Sequence, residues 1–282
     1  MESGAADIFR QAAALNLSDP RRAGNVIALE SGGDVMVSGD LHGYRAGMVK
    51  VISAAALEAR PLRRLVLQEV IHGPPEGPGG HDRSVDLLLR SARLKLAHPQ
   101  QVLFVLGNHD IAQVTGNEIT KDGRGVCKAF LSGVRFAFGD SSDKVLQAIN
   151  EFLLSMPLAV RCPNKVFVAH SLPSPSRMAV AGTDVLRRPY EPADLRRGGG
   201  VYEWTWGRDQ TADQLEALGR ELDAEYFILG HRHSEQGYET ISDRGLTLNT
   251  EHERGYVMVF QADEPLKADE ISRYLKPLLK LA

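Results

Sequence analysis

Cysteine is almost missing from this chain. Cys127 and Cys162 are its only two, too few for a disulfide framework and not spaced as a metal-binding pair, so a reducing, cytoplasmic setting is expected. No apolar run approaches the length of a membrane span. The N-terminus, with Glu2 and Asp7 ahead of a short alanine-rich stretch, does not have the make-up of a signal peptide. A large excess of either charge is missing too. The formal net charge of -3 gives no electrostatic case for a nucleic-acid or membrane-surface partner and leaves a nuclease without its basic surface. Internal repeats are absent. What remains is 43% hydrophobic and 24% charged residues, the profile of a globular protein able to bury a sizeable core. A single domain over residues 1–282 is expected, its core at about 25–262 with helical extensions on either side.

Along the chain, residues 5–15 read as a short amphipathic helix. Asn25 to Glu30 and Asp34 to Ser38 are strand-like, and Ser31-Gly32-Gly33 between them predicts a hairpin turn. A helix-like segment runs from Ala46 to Leu57, followed by a strand over Arg64–Leu67 that ends in Gln68-Glu69. Pro74-Pro75-Glu76-Gly77-Pro78-Gly79-Gly80 can be neither helix nor inner strand, so residues 70–82 are expected to form a surface loop. Ser84 predicts an N-cap, with Val85, Leu88, Leu89, Ala92 and Leu96 forming one helical stripe that His98-Pro99 ends. Val102–Leu106 is a buried-type strand. Short helices and loops are expected over 111–140, then an amphipathic helix on Val145, Leu146, Ile149, Phe152 and Leu153. Lys165–Ala169 and Tyr226–Leu229 are strands, and between them Thr211 and Gln214 predict a capping box. The Pro-, Arg- and Gly-rich segment 171–210 predicts little. Short strands near 238–241, 245–248 and 255–260 precede a helix from Ala268 that Pro277 should break.

Five of these strands end in residues able to ligate a metal: Asp40/His42, Gln68/Glu69, Asn108/His109, His170 and His231/His233. Side chains at the carboxyl ends of strands in α/β sheets converge, and the strands behind hold them rigid. Carboxylate, imidazole and amide oxygen without thiolate suit hard or borderline divalent ions such as Mn, Fe, Zn or Co, and argue against a structural zinc site. Two ions sharing one carboxylate would lie about 3.5–4 Å apart and bridge a water that ionises near neutral pH and can act as nucleophile.

Asp40-Leu41-His42-Gly43, then Gly107-Asn108-His109-Asp110, then the isolated His170, then Gly230-His231-Arg232-His233 together resemble the calcineurin-like metallophosphoesterase superfamily. The similarity is closer to its phosphoprotein-phosphatase branch. The block from Ser84 to Asp110, Met156-Pro157-Leu158-Ala159 leading to His170, and Gly230-His231 leading to Gly237-Tyr238-Glu239 carry it, over roughly residues 34–260. The resemblance implies a four-layer α-β-β-α sandwich with a dinuclear metal centre. It implies that Asp40 and His42 hold the first ion, that Asn108, His170 and His231 hold the second, and that His109 protonates the leaving alkoxide. His233 matches the residue that completes the first ion's shell in the wider superfamily. The phosphoprotein-phosphatase branch usually lacks it, and a solvated loop histidine is the alternative.

The second metal motif departs from the pattern. The family has Gly-Asp-x-x-Asp-Arg-Gly where this chain has Gln68-Glu69-Val70-Ile71-His72-Gly73, so both the bridging Asp and the Asp that orients the catalytic histidine are replaced. Glu69 is the expected bridge, because a neutral Gln68 would hold two cations together with one carboxylate fewer in a low dielectric; His72 is a rival ligand. Asp82 and Arg83 are expected to replace the displaced Asp-Arg pair, Asp82 orienting His109 and Arg83 clamping phosphate. Their alternative is to cap the following helix. Arg208 is a further candidate for phosphate, with a plain surface arginine as its alternative. The activity implied is hydrolysis of phosphate monoesters by metal-bound hydroxide, as in Ser/Thr protein phosphatases. The alternatives are a dinucleoside polyphosphate hydrolase and a catalytically silent phosphate- or phosphopeptide-binding protein.

Overall fold

Apolar side chains alternate along the central strands, one set meeting a facing sheet and the other meeting helices. The computed structural model describes residues 4–76, 79–121 and 123–281; Glu2, and Gly77 and Pro78 of the Pro-Gly stretch, lie outside them. The strands in chain order are β1 (Arg22–Ala23), β2 (Val26–Ala28), β3 (Asp34–Asp40), β4 (Arg64–Gln68), β5 (Pro75–Glu76), β6 (His81–Asp82), β7 (Val102–Val105), β8 (Thr120–Lys121) and β9 (Arg124–Gly125). They continue with β10 (Ala159–Arg161), β11 (Val166–Ala169), β12 (Tyr226–Leu229), β13 (Tyr238–Ser242), β14 (Gly245–Leu248), β15 (Tyr256–Gln261) and β16 (Leu275–Pro277). The helices are α1 (Ala5–Leu17), α2 (Arg45–Ala55), α3 (Ser84–Ala97), α4 (Asn108–Thr115), α5 (Val126–Phe138), α6 (Ser142–Leu154), α7 (Met178–Ala181), α8 (Gly200–Trp206) and α9 (Ala212–Leu222).

One sheet has the order β1-β2-β10-β11-β12-β14-β13 and the other β16-β15-β3-β4-β7. Val35, Val37, Val66, Leu103 and Val105 of the second sheet share a buried cluster with Val160, Val166, Val168, Ile228 and Leu246 of the first, the period-two pleat of two packed sheets. On the opposite faces, Met36, Leu65, Leu67 and Phe104 meet helical residues such as Met48, Leu88 and Phe152, and Phe167 and Phe227 join Trp204, Leu215 and Leu218. Each such side chain contributes about 1.5–3 kcal/mol by leaving water. The result is the α-β-β-α sandwich expected. Strands β3, β4 and β7 run parallel, as do β11, β12 and β14. A bridge between Asp40 and Asn249, and the bond from Gly39 N–H to Thr250 Oγ1 (2.8 Å), tie the sheets at the edge where β3 ends.

Five sequence expectations change. Asn25–Glu30 and Asp34–Ser38 form no hairpin. β2 pairs with β10 in one sheet while β3 sits between β15 and β4 in the other, so Ser31-Gly32-Gly33 crosses between sheets. No α-helix starts at Ala268. A 3-10 segment broken at Glu270 leads into β16, which pairs with β15, and Pro277 ends that edge strand where a missing N–H costs no ladder bond. Ser84 is the first helical residue rather than the cap; its N–H bonds Asp82 Oδ1 (2.8 Å), and its hydroxyl accepts from His72 N–H (3.1 Å). The 70–82 segment is surface only in its middle, since Val70, Ile71, His72 and Asp82 are buried. Residues 111–140 include the thirteen-residue helix α5, which seats Phe130 and Val134 in the core.

Candidate metal centre

Strand ends from both sheets deliver the candidate ligands to one place. Asp40 closes β3, Glu69 follows β4, Asn108 opens α4 after β7, His170 follows β11 and His231 lies just past β12. Asp40, Glu69, Asn108, His170 and His231 are all buried. Around His170 Nε2 stand Asn108 Oδ1 at 2.9 Å, His231 Nδ1 at 3.2 Å and Glu69 Oε1 at 3.3 Å. Glu69 Oε2 lies 3.3 Å from His42 Nε2. His42 Nδ1 is 3.1 Å from the Ile71 carbonyl and donates to it, which turns the Nε2 lone pair toward Glu69. The His231 N–H donates to Asp40 Oδ2 (2.8 Å), joining the last motif to the first across the sheets.

The backbone is bent to make this possible. His42, Glu69, His72 and His231 all take positive φ (40, 35, 66 and 69), a conformation that costs a non-glycine residue about 1–3 kcal/mol and persists where the surroundings impose it. Gly107 and Gly230 serve close approach. A Cβ on Gly107 would collide with the Glu69 carboxylate, and one on Gly230 with Asp40 Oδ1 and Gln68 Oε1. Gln68 itself is turned to the Ser38 carbonyl, which its Nε2 bonds at 3.0 Å.

The charges are those of a site built around cations. Burial pushes the Glu69 carboxyl up to about 8. Burial works against a charged His170 too, but the Glu69 and Asp40 carboxylates outweigh it and hold that imidazole up at about 9. Asp40 is held below its ordinary value because His170, His42 and His231 overcome its burial. Burial lowers His42, and burial with the nearby His170 charge lowers His231 well below the usual range. Asp40 Oδ1 and His170 Nδ1 face each other at 3.4 Å, and with Glu69 Oε2 and His231 Nε2 they are buried without a well-aligned hydrogen bond. Lone-pair donors crowded this way, and left unsatisfied, fit divalent cations between them. Two groups of donor atoms fall within metal-binding reach, Asp40/Glu69/His170 and His42/Glu69/His109, and Glu69 belongs to both.

His109 sits at the edge of this cluster. Its backbone N–H donates to Glu69 Oε1 (2.7 Å), and its ring lies 4.5 Å from that of His42. Burial and the neighbouring histidines hold it far below its ordinary value. The expected contact to Asp82 is not what orients it. His109 Nδ1 faces His72 Nδ1 at 2.9 Å, and His72 Nε2 faces Gln113 Oε1 at 3.0 Å. Asp82 is buried under α3, where its Oδ1 accepts the Ser84 N–H, and burial raises its carboxyl to about 6. Arg83 is likewise occupied within the first turn of α3: it donates to Asp86 (2.8 Å) and covers the Phe136 ring at 5.3 Å.

His233 stands at the surface. Its side chain is 60% exposed and its Nδ1 bonds Glu251 Oε1 at 2.5 Å, because Glu251 is a largely buried carboxylate that also takes Lys121 Nζ (3.1 Å) and Asn249 Nδ2 (3.2 Å). Against its burial, His42, the His233 hydrogen bond and Lys121 draw Glu251 down to about 2. Arg208 is exposed, near enough for its charge to press on His231, and makes no ion pair among the described residues. Gln113, Glu251 and Lys121 were invisible as site neighbours in the sequence. For His72 one signal existed: it stands three residues after Glu69, the spacing of the family's second Asp.

A family profile described as calcineurin-like phosphoesterase matches residues 33–235. A probable serine/threonine-protein phosphatase of Encephalitozoon cuniculi is 25% identical over 235 residues, 76% of this chain and 46% of that protein, so the chain spans about half the length of this curated relative. Among solved structures, a protein serine/threonine phosphatase of Saccharomyces cerevisiae with similarity to human phosphatase PP5 superposes with a TM-score of 0.66 at 16% identity, covering 91% of this chain and 82% of that one. A cold-active protein-tyrosine phosphatase of a psychrophilic Shewanella gives 0.58 at 12% identity over 89% and 80%. At such identities the two structures speak for the fold alone.

Proposed function

This chain belongs to the calcineurin-like phosphoesterase family, hydrolases of phosphoric esters, and from that premise we propose that it binds two divalent cations and cleaves phosphate monoesters in the manner of a serine/threonine protein phosphatase. The observation that carries the reading is the convergence of Asp40, Glu69, Asn108, His170 and His231 from five strand ends, with buried donor atoms left unpartnered. Asp40, His42 and Glu69 would hold one cation, and Glu69, Asn108, His170 and His231 the other. When bound, the cations supply Lewis acidity and a positive field for the phosphate.

The remaining roles fall to side chains nearby. His109 would hand a proton to the departing alkoxide. It is neutral before substrate arrives, and the phosphate dianion brings the negative charge against which its imidazolium forms. Arg208 would grip two phosphate oxygens in bidentate fashion. Among the described residues no helix is long and apolar enough to cross a membrane. Cys127 and Cys162 are free and buried, which suits a reducing compartment.

Turnover of p-nitrophenyl phosphate with added manganese, read beside the metal content, tests the proposal. The expected result is two equivalents of metal and steady hydrolysis, with Asp40→Asn lowering metal affinity and turnover together by about 10–100-fold. At most one ion, tight phosphate binding and no turnover would mean a silent phosphate binder and would sink it.

A further inference from the structure

The fold gives His109 a neighbour that a carboxylate occupies in the family it resembles. His72 lies buried with its ring against that of His109 (centroids 5.1 Å apart, edge to face) and against Phe130 on the other side (5.7 Å). Its backbone is fixed twice, by φ of 66 and by the bond from its N–H to Ser84 Oγ. Gln113 follows His109 by four residues on α4, so the two project from one face of the helix with the His72 ring between them. These contacts form a chain. Gln113 Oε1 can only accept, so His72 Nε2 carries a proton. His72 Nδ1 is then a bare acceptor, and the proton between the rings belongs to His109 Nδ1. That leaves His109 Nε2 as the atom which exchanges protons with whatever occupies the site.

Resting on the functional reading above, we propose that His72 and Gln113 are positioning residues that hold His109 with its Nδ1–H on His72, so that the proton it takes from solvent when the phosphate dianion binds sits on Nε2 and passes from there to the oxygen of the leaving group. A neutral imidazole backed by an amide thereby takes the orienting place of the family's carboxylate. His72 touches neither the ester nor the cations in this role; it acts through His109 alone.

Two measurements test the chain. In metal-free protein labelled with 15N-histidine, long-range proton–nitrogen correlations should show His109 protonated at Nδ1 and His72 at Nε2. Gln113→Met should scramble both tautomers and Gln113→Glu should keep them. The reverse order, or tautomers indifferent to Gln113→Met, overturns the proposal. In the metal-loaded enzyme, His72→Phe should cut kcat for an alkyl ester such as phosphoserine by about 100-fold or more, since alkoxide departure needs the proton. Loss on p-nitrophenyl phosphate, whose leaving group needs none, should stay below about tenfold with KM nearly unchanged. His72→Asp should restore alkyl-ester turnover. Equal losses on both substrates would assign His72 a merely structural place and overturn the proposal. A wild-type protein that turns over neither ester overturns the functional reading instead, and the tautomers still decide the order of the chain.

Discussion

Glu69 enters the cluster from a left-handed backbone at φ 35 and is the one carboxylate common to both donor groups. Its pKa gives a test with a definite sign. In the metal-free protein the carboxyl keeps its proton up to about 8, and a cation needs it ionised. Loading at pH 7 should therefore expel at least one proton, with His170, held at about 9, adding to the count. Apparent affinity should rise with pH and level off above about 9. Calorimetry in two buffers of different ionisation enthalpy reads the number directly, and Glu69→Gln should remove one proton from it while weakening binding at least about tenfold. No proton release would take Glu69 out of the ligand set. Asp40, Asn108, His170 and His231 are legible in the sequence because each stands at the end of an apolar strand, a local pattern. The partnership of His72 with Gln113 is not, because it joins positions 41 apart through packing alone.

At the scale of elements, hydrophobic periodicity identifies the inner strands and the long helices well, since β3, β4, β7, β11 and β12 are buried along nearly their whole length. It fails where pairing partners decide. Ser31-Gly32-Gly33 has the composition of a turn whether the chain folds back or crosses to another sheet, and Ile271, Leu275 and Leu278 carry helix-like spacing although the segment ends as an edge strand on β15. Glycine positions next to strand ends offer a sharper test. Gly230→Ala and Gly107→Ala should each lower metal affinity by about 10–100-fold with the far-ultraviolet dichroism unchanged, because the added methyl displaces Asp40 or Glu69. Gly32→Ala, which meets no neighbouring atom but keeps φ of 100, should instead cost about 1 kcal/mol of stability and leave metal content alone. Equal metal content in all three variants would contradict the close packing described for the site.

Across the whole molecule, the centre draws Asp40, Glu69 and Asn108 from one sheet and His170 and His231 from the other. Cations bound there would join the two layers and would favour the assembled state. At a manganese concentration about 100-fold above Kd the native state should gain about 2.7 kcal/mol, a rise in Tm of roughly 4–6 °C that a chelator reverses. An unchanged Tm at saturating metal would separate the ligands from the packing of the sheets. The order of the strands has a consequence for biosynthesis. β2, near the start, belongs to the sheet of the late histidines, whereas β15, near the end, flanks β3 and its aspartate. A nascent polypeptide leaving the ribosome cannot complete the sheet beside β3 until residue 261 has emerged. A product ending before Tyr256 would leave β3 without that neighbour, and it should bind manganese more weakly than the full chain.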